Sequence, residues 1–398
     1  MFLSRPPHQV RLPVRTGSPP GGAGQARVVG EFIPGLELSR LLYAGVVRPL
    51  LDSAYPGLRY SAALIGPGSE VLGFDSARST DHDWGPRLQV FLAGDGLAGE
   101  ITELLGQRLP ETFLGWPVAF DDSSGRHGVR HWVQVTGLGT WLTGALGFDP
   151  RRGVTLLDWL ATPTQRLAEV TAGAVFHDGL AGDQPAGGLA AGGLAAAREA
   201  LGWYPPDLWR YVLACQWARL AEEEAFAGRS AEAGDELGSI VIVARQARHL
   251  IRLWLLMQRR YPPYSKWLGR ALTTAGPAGP AGPAGIAPLL HGALTATGWP
   301  DRERLLTAAC QAAARRHNEL GLTPPLPTGA GPYYSRPFLV LGADRFSDAL
   351  RAQISDPAVA ALPPCGTVDQ FVDGVDTLRD PARLRALVTS QLAAGPGG

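Results

Sequence analysis

The hydrophobic pattern of this chain changes period near residue 155, and that change limits the fold more than any single motif does. Before it, apolar residues gather in runs of strand length: RYSAALIG (59–66), DWGPRLQVFL (83–92), WPVAFDD (116–122) and RHWVQVTGL (130–138). Pro86 has no N–H for a ladder, so the second run is expected to bend or to lie at a sheet edge. Helices are predicted over 36–54, where Leu38, Leu41, Leu42, Val46, Leu50 and Leu51 recur at helical spacing, and over 98–108. Beyond residue 155 the pattern reads almost wholly helical. TPTQRLAEV opens that part with a capping box, Thr162 as N-cap, Pro163 at the first helical position and Gln165 three residues after the cap. Further helices are predicted over 207–228, 235–260, 286–297 and 301–320. The expected fold class is α+β, with an N-terminal α/β domain holding a small mixed sheet (31–153) and a helical-bundle domain after it (154–355).

Composition narrows the function. A chain of 398 residues exceeds what one core usually fills, which agrees with two domains. Formal net charge is zero, which gives no strong case for a nucleic-acid partner and none for an anionic membrane surface. Cys215, Cys310 and Cys365 form no C-x-x-C pair, so neither a disulfide framework nor a structural zinc site is expected. With no apolar run of membrane-spanning length and no signal-peptide core, the expected location is the cytoplasm. Residues 1–30, rich in Arg, Pro and Gly and free of acid, read as a disordered lead-in, with an organellar transit peptide as the weaker alternative. The Gly/Ala-biased segment 181–197 reads as a loose insertion, AGPAGPAGPAG (275–285) as a linker, and 356–398 as a partly helical tail.

The chemistry concentrates directly after the first strand, in PGSEVLGFDSARSTDHDW (67–84). Gly68 and Ser69 are expected to open a turn into a short helix, offering backbone N–H groups and a hydroxyl to a phosphate. Asp81 and Asp83, read as the start of a strand, fall on one face by alternation, with His82 and Trp84 on the other. Two such carboxylates repel unless a divalent cation lies between them, and all-oxygen ligands favour Mg2+ or Mn2+. Either element alone is a weak signal; the order strand, Gly-Ser turn, short helix, Ser-x-Asp-x-Asp, strand is stronger.

GPGSEVLGFDSARSTDHDW (66–84) resembles the signature of the nucleotidyltransferase superfamily, the polymerase-beta-like fold. Together with RYPPYSKWLG (260–269) in a helical part, it is similar to an uncharacterised bacterial domain-of-unknown-function branch of that superfamily. Its layout resembles that of the aminoglycoside nucleotidyltransferases. The resemblance covers roughly residues 31–355. It implies metal ligation by Asp81 and Asp83, phosphate binding by Gly68 and Ser69, and a nucleotide set that includes Ser79 and Tyr264.

Lys266 is the only lysine in a Lys+Arg total of 36. A compact ammonium differs from a flat guanidinium fork, and the resemblance implies a lysine from the helical part near the triphosphate, which places Lys266 in the catalytic set. Tyr261 and Tyr264 read either as lining the same cleft or, at least as readily, as aromatic packing at a helix end after Pro262 and Pro263. The superfamily usually draws a third carboxylate from a later strand, where this chain offers Gln134. Substitutes are Asp121, Asp122, Glu222 to Glu224, Asp235 and Glu236, most of them readable as solvated faces. His127 and His131 lack the helical setting that would put both on one metal. Arg245 and His249 resemble, at too short a spacing, an Arg-to-His ribonuclease motif.

The expected activity is transfer of a nucleoside monophosphate from a nucleoside triphosphate to a hydroxyl of a small-molecule acceptor, with Mg2+ or Mn2+ as cofactor. The alternatives are a nucleotide-binding regulator without turnover, or a nucleotidyltransferase acting on protein or tRNA. A homodimer is left open.

Overall fold

The computed structural model describes residues 30–81, 84–121, 129–182, 192–274 and 285–393. Most of the lead-in, the Gly/Ala insertion and the Gly/Pro linker, as well as His82, Asp83, Asp122, His127 and the final AGPGG, lie outside the described residues.

The fold is α+β. The first helix, α1 (Gly35–Leu42), passes through a π-turn (Tyr43–Val47) and resumes at Arg48–Ala54, burying Leu38, Leu42, Val47 and Leu51 on one stripe. The main sheet has four strands: β1 (Tyr60–Leu64), β2 (Leu88–Leu92), β3 (Val133–Gly137) and β4 (Ala174–Asp178), in spatial order β3-β2-β1-β4. β2 runs parallel to β3, pairing Gln89 with Gln134, and antiparallel to β1, pairing Gln89 with Ala63. β2 is therefore an interior strand, contrary to the edge expected from Pro86. The strand begins only at Leu88, so the missing N–H of Pro86 falls outside the ladder.

β4 is a strand that the almost wholly helical reading after residue 155 did not include. It pairs antiparallel with β1, Ala62 opposite His177, and completes the sheet from the far side of the pattern change. Its AVFHD is short, partly exposed and ends in two polar residues, which leaves little periodic signal.

Alternation along the strands divides two cores. Ala62, Leu88, Val90, Leu92 and Val133 face α1 and α2 (Ala98–Arg108), where Ile101 and Leu105 are fully buried. Ala63, Ile65 and Phe91 face the other way, into the core built by the helical part. That core is carried by α3 (Leu138–Leu146), α4 (Leu156–Ala161), α5 (Thr164–Thr171), α6 (Pro206–Glu223), α7 (Glu236–Met257), α8 (Ser265–Thr273), α9 (Trp299–Glu319), α10 (Asp344–Arg351) and α11 (Pro381–Ala393), among shorter helices. At its centre Trp217 stacks on Phe346 at 4.5 Å between ring centroids.

The capping box expected at Thr162 lies elsewhere. Thr155 and Asp158 form it at the start of α4, whereas Pro163 is the N-cap of α5 and Thr162 ends α4, its hydroxyl donating to the Asp158 carbonyl at 2.6 Å. Gln165 is thereby released for other bonds.

Candidate functional site

The end of β1 is held by β2. The Gln89 side chain accepts from Ile65 N and donates to Ile65 O, both at 3.1 Å, copying a ladder pair where the strand stops. Arg87 then reaches over the next turn, donating to Glu70 Oε1 at 2.5 Å and to the Pro67 carbonyl. Gly68 lies beneath it at φ +150°, and an added Cβ would stand 1.9 Å from Arg87 Nη2 and 2.7 Å from Glu70 Oε2. Only glycine fits there, both for backbone conformation and for the close approach of the pair.

After Ser69 the chain forms successive turns, not the expected short helix. Gly73 N donates to Glu70 O and Phe74 N to Ser69 O, at 3.0 and 2.8 Å. Gly68 and Gly73 both take positive φ, which leaves too few residues between them for a helix. A helix N-terminus is thus not part of this site; the turn and the Ser69 side chain are. The strand reading of Asp81 is also overturned, because Ala77–Asp81 is a 3-10 turn. Its hydroxyls satisfy the backbone locally: Ser76 N donates to Ser79 Oγ at 3.1 Å, and Thr80 Oγ1 to Ala77 O at 2.8 Å. Same-face placement by strand alternation therefore has no basis at Asp81, and Asp83 lies outside the described residues.

The turn docks on the helical part through Phe74, whose ring lies 5.5 Å from that of Trp267 and under the Arg270 guanidinium at 5.8 Å. This contact opens a cleft of about 310 Å³ between sheet and helices. Pro67, Gly68, Ser69 and Leu72 form one wall; Gln165, Arg166 and Glu169 of α5 form the floor. Tyr264 and Trp267 stand at α8, and Val375, Leu378 and Arg379 close the far side.

One network ties floor to wall. Tyr264 N donates to Gln165 Oε1 at 2.9 Å, Gln165 Nε2 to Glu169 Oε1 at 2.9 Å, and Arg166 Nη1 to Glu169 Oε2 at 2.8 Å. Gly66 N donates to the Glu169 carbonyl at 2.8 Å, fixing α5 against the turn. The charged lining is two arginines and one engaged carboxylate, an excess of one positive charge.

The structure thus brings Gly68, Ser69 and Tyr264 together across nearly two hundred residues of chain. Ser79 is spent on its own turn and is not in the lining. Lys266 is exposed in the first turn of α8, between the lining residues Tyr264 and Trp267 in sequence, its Nζ 4.9 Å from the Trp267 ring. Tyr261 packs against Trp203 at 4.7 Å and donates to Leu201 O, so it is engaged in aromatic packing against the core and is absent from the lining of this cleft.

Gln134 is exposed and lines a separate cleft of about 1120 Å³ between α2 and the starts of β2 and β3, sharing no lining residue with the first. The substitute carboxylates of the helical part have other partners. Glu223 pairs with Arg245 at 3.2 Å, Glu222 lies 3.6 Å from Arg219, and Glu236 pairs with Arg302. Glu224 accepts from Gly342 N and Ala343 N, and Asp235 caps α7 through Gly238 N. Among the described residues no cluster of three or more His, Cys, Asp or Glu is placed to hold a metal. His131 bonds the Thr102 carbonyl at 3.0 Å, and His249 is buried against Gln216.

Sequence reasoning missed Arg166, Glu169 and Arg379. The first two carried a faint signal, an Arg and a Glu three apart on one helix face.

Residues 159–268 match the model of a family described as a domain of unknown function (DUF4037). That stretch runs from α4 through β4 to the start of α8 and includes Gln165, Arg166, Glu169, Tyr264 and Lys266. No curated protein and no solved structure matches the chain. Among the described residues no helix is long and apolar enough to cross a membrane.

Proposed function

We propose that the cleft binds a nucleoside triphosphate and that the protein transfers its nucleoside monophosphate to a hydroxyl of a small acceptor. The observation that carries this reading is the convergence of the Gly68-Ser69 turn, two arginines and two aromatic rings on one cleft of about 310 Å³. Clefts of a few hundred Å³ suit ligands of nucleotide size. Ser69 and the guanidinium fork of Arg166 would bind phosphate oxygens, and Tyr264 with Trp267 offers an aromatic face for a base. The acceptor oxygen bonds the α-phosphorus, the bond to the β-phosphate bridge breaks, pyrophosphate leaves, and the hydroxyl proton passes to solvent. Lys266, on a flexible stem beside Trp267, would follow the departing phosphates as a point charge.

Asp81 and Asp83 are the residues that would hold Mg2+ or Mn2+, since their donor chemistry, hard carboxylate oxygens, fits such ions. Bound there, the ion would neutralise charge on the phosphates. Gln134, outside this cleft, and Glu169, already paired, favour one second reading, a nucleotide-binding regulator without turnover.

The test is metal-dependent pyrophosphate release from each of the four common triphosphates against a panel of hydroxyl acceptors. Asp81→Asn and Asp83→Asn should each abolish release and leave the melting temperature unchanged. Wild-type rates in either variant would refute the assignment, and tight nucleotide binding without release would select the regulator.

A further inference from the structure

The C-terminal segment reads in sequence as a partly helical tail, yet it is anchored on both sides of the cleft. Upstream, Asp369 is buried and accepts from Arg252 Nη2 at 2.7 Å, Thr164 Oγ1 at 2.5 Å and Thr367 Oγ1 at 3.0 Å. Four residues later Asp373 pairs with Arg248 at 2.5 Å, one turn before Arg252 on α7. Downstream, Arg385 of α11 donates to Asp158 at 2.5 Å, while Leu384 and Val388 are buried. Between these anchors the chain runs as a strap beside the cleft, turning through Thr377–Arg379.

Arg379 stands at the middle of that strap. Its carbonyl accepts from Arg166 Nη2 at 3.4 Å, which places the two arginines side by side in the lining. Its guanidinium is exposed and makes no hydrogen bond or ion pair among the described residues. Arg166, by contrast, is oriented by Glu169. A fixed backbone thus carries an uncommitted planar cation to a cleft that already holds a second arginine and a serine hydroxyl. Such an arrangement suits an anion with several oxygens spread along a chain.

We propose that Arg379 is a polyphosphate-binding residue, and that the strap carrying it is a functional wall of the cleft. The inference rests on the nucleotide reading above and adds its counterpart to the Ser69 turn: phosphates are gripped between residue 69 and residue 379. Arg379 is a binding residue and takes no part in proton transfer.

The experiment is calorimetric titration of the full chain with inorganic tripolyphosphate and, separately, with the magnesium complex of each common nucleoside triphosphate, at fixed ionic strength. Arg379→Gln should weaken tripolyphosphate binding by about tenfold or more, the worth of a charge-assisted hydrogen bond, with no change in melting temperature. Arg383→Gln removes an exposed charge one turn further on and should leave affinity unchanged. Equal affinity in Arg379→Gln and wild type would overturn the strap's role and leave the nucleotide reading standing. An equal loss in Arg383→Gln would reduce the effect to net charge and overturn it too. Wild-type protein that binds neither tripolyphosphate nor any nucleotide would overturn both. Arg379-dependent binding without pyrophosphate release would support the strap and refute transfer.

Discussion

The two walls of the cleft are each held by an arginine and a carboxylate, but in different surroundings. On the strap side, Arg252 and Asp369 are almost completely excluded from water, with side chains 7% and 5% exposed. On the turn side, Arg87 and Glu70 keep 27% and 10% of their side-chain surface. Burial opposes ionisation of Asp369, but the Arg252 charge and the hydroxyls of Thr164 and Thr367 outweigh it and hold the carboxyl below the ordinary aspartate range. A dry pair of this kind stands or falls as a unit, because either partner left alone is an uncompensated charge in an apolar setting. The pair over Gly68 is wetter on its arginine side, where water can serve as a substitute partner. The strap wall is therefore built to stay, and the turn wall to give way locally.

The sharpest way to break this contrast is Asp369→Ala. It strands Arg252 among buried groups and should cost about 3–5 kcal/mol of unfolding free energy by urea titration. A cost as small as that of a surface pair would show that the strap is loosely attached.

Acid should act next, and on the strap side. His249, between Arg248 and Arg252 on α7, is held down to about pKa 4 by burial and by the charges of Arg245, Arg248, Arg252 and Arg219. Gln216 Nε2 donates to its Nδ1 at 3.3 Å, as a neutral ring allows. A histidine whose folded pKa lies below its unfolded 6.5 contributes stability in full above that pH, and the contribution is lost as pH falls from 6.5 to about 4. The loss is on the order of 3 kcal/mol. His317, whose Nδ1 accepts from Trp217 at 3.2 Å and whose pKa burial lowers to about 4, adds a similar share. His249→Gln should flatten the stability profile between pH 6.5 and 4 by its own portion. An unchanged profile would mean that His249 is already charged in the folded protein.

The smallest effect belongs to the turn. Arg87→Gln should cost only about 1–2 kcal/mol, since the glutamine amide can still offer Glu70 a donor and Arg87 is the more exposed partner. A loss as large as that of Asp369→Ala would erase the difference between the walls.

What could be read from the chain before folding follows the same division. β1, α2 and the long helices α7 and α9 carry clean periodicity over enough residues to be recognised. Asp81, read as the start of a strand, closes a 3-10 turn instead, because hydroxyls in SARST satisfy backbone groups that a ladder would otherwise claim. Gly68 and Ser69 were visible as a turn, and Tyr264 as an aromatic near a proline pair. That they share a cleft is a product of Phe74 docking on α8, which no local pattern announces. Arg379 in DTLRD has no motif around it; only anchors at Asp369 and Arg385, themselves isolated polar residues in sequence, give it a place.

β4 has a consequence for how such a chain can be made or cut. The outer edge of β1 has no partner until residues 174–178 exist, so on the ribosome the three-stranded sheet waits with exposed backbone N–H and C=O groups. A gene divided at the change of hydrophobic period, near residue 155, would encode a first half with that edge permanently open. Such fragments recruit other strands and precipitate. A break beyond residue 178 keeps the four-stranded sheet whole.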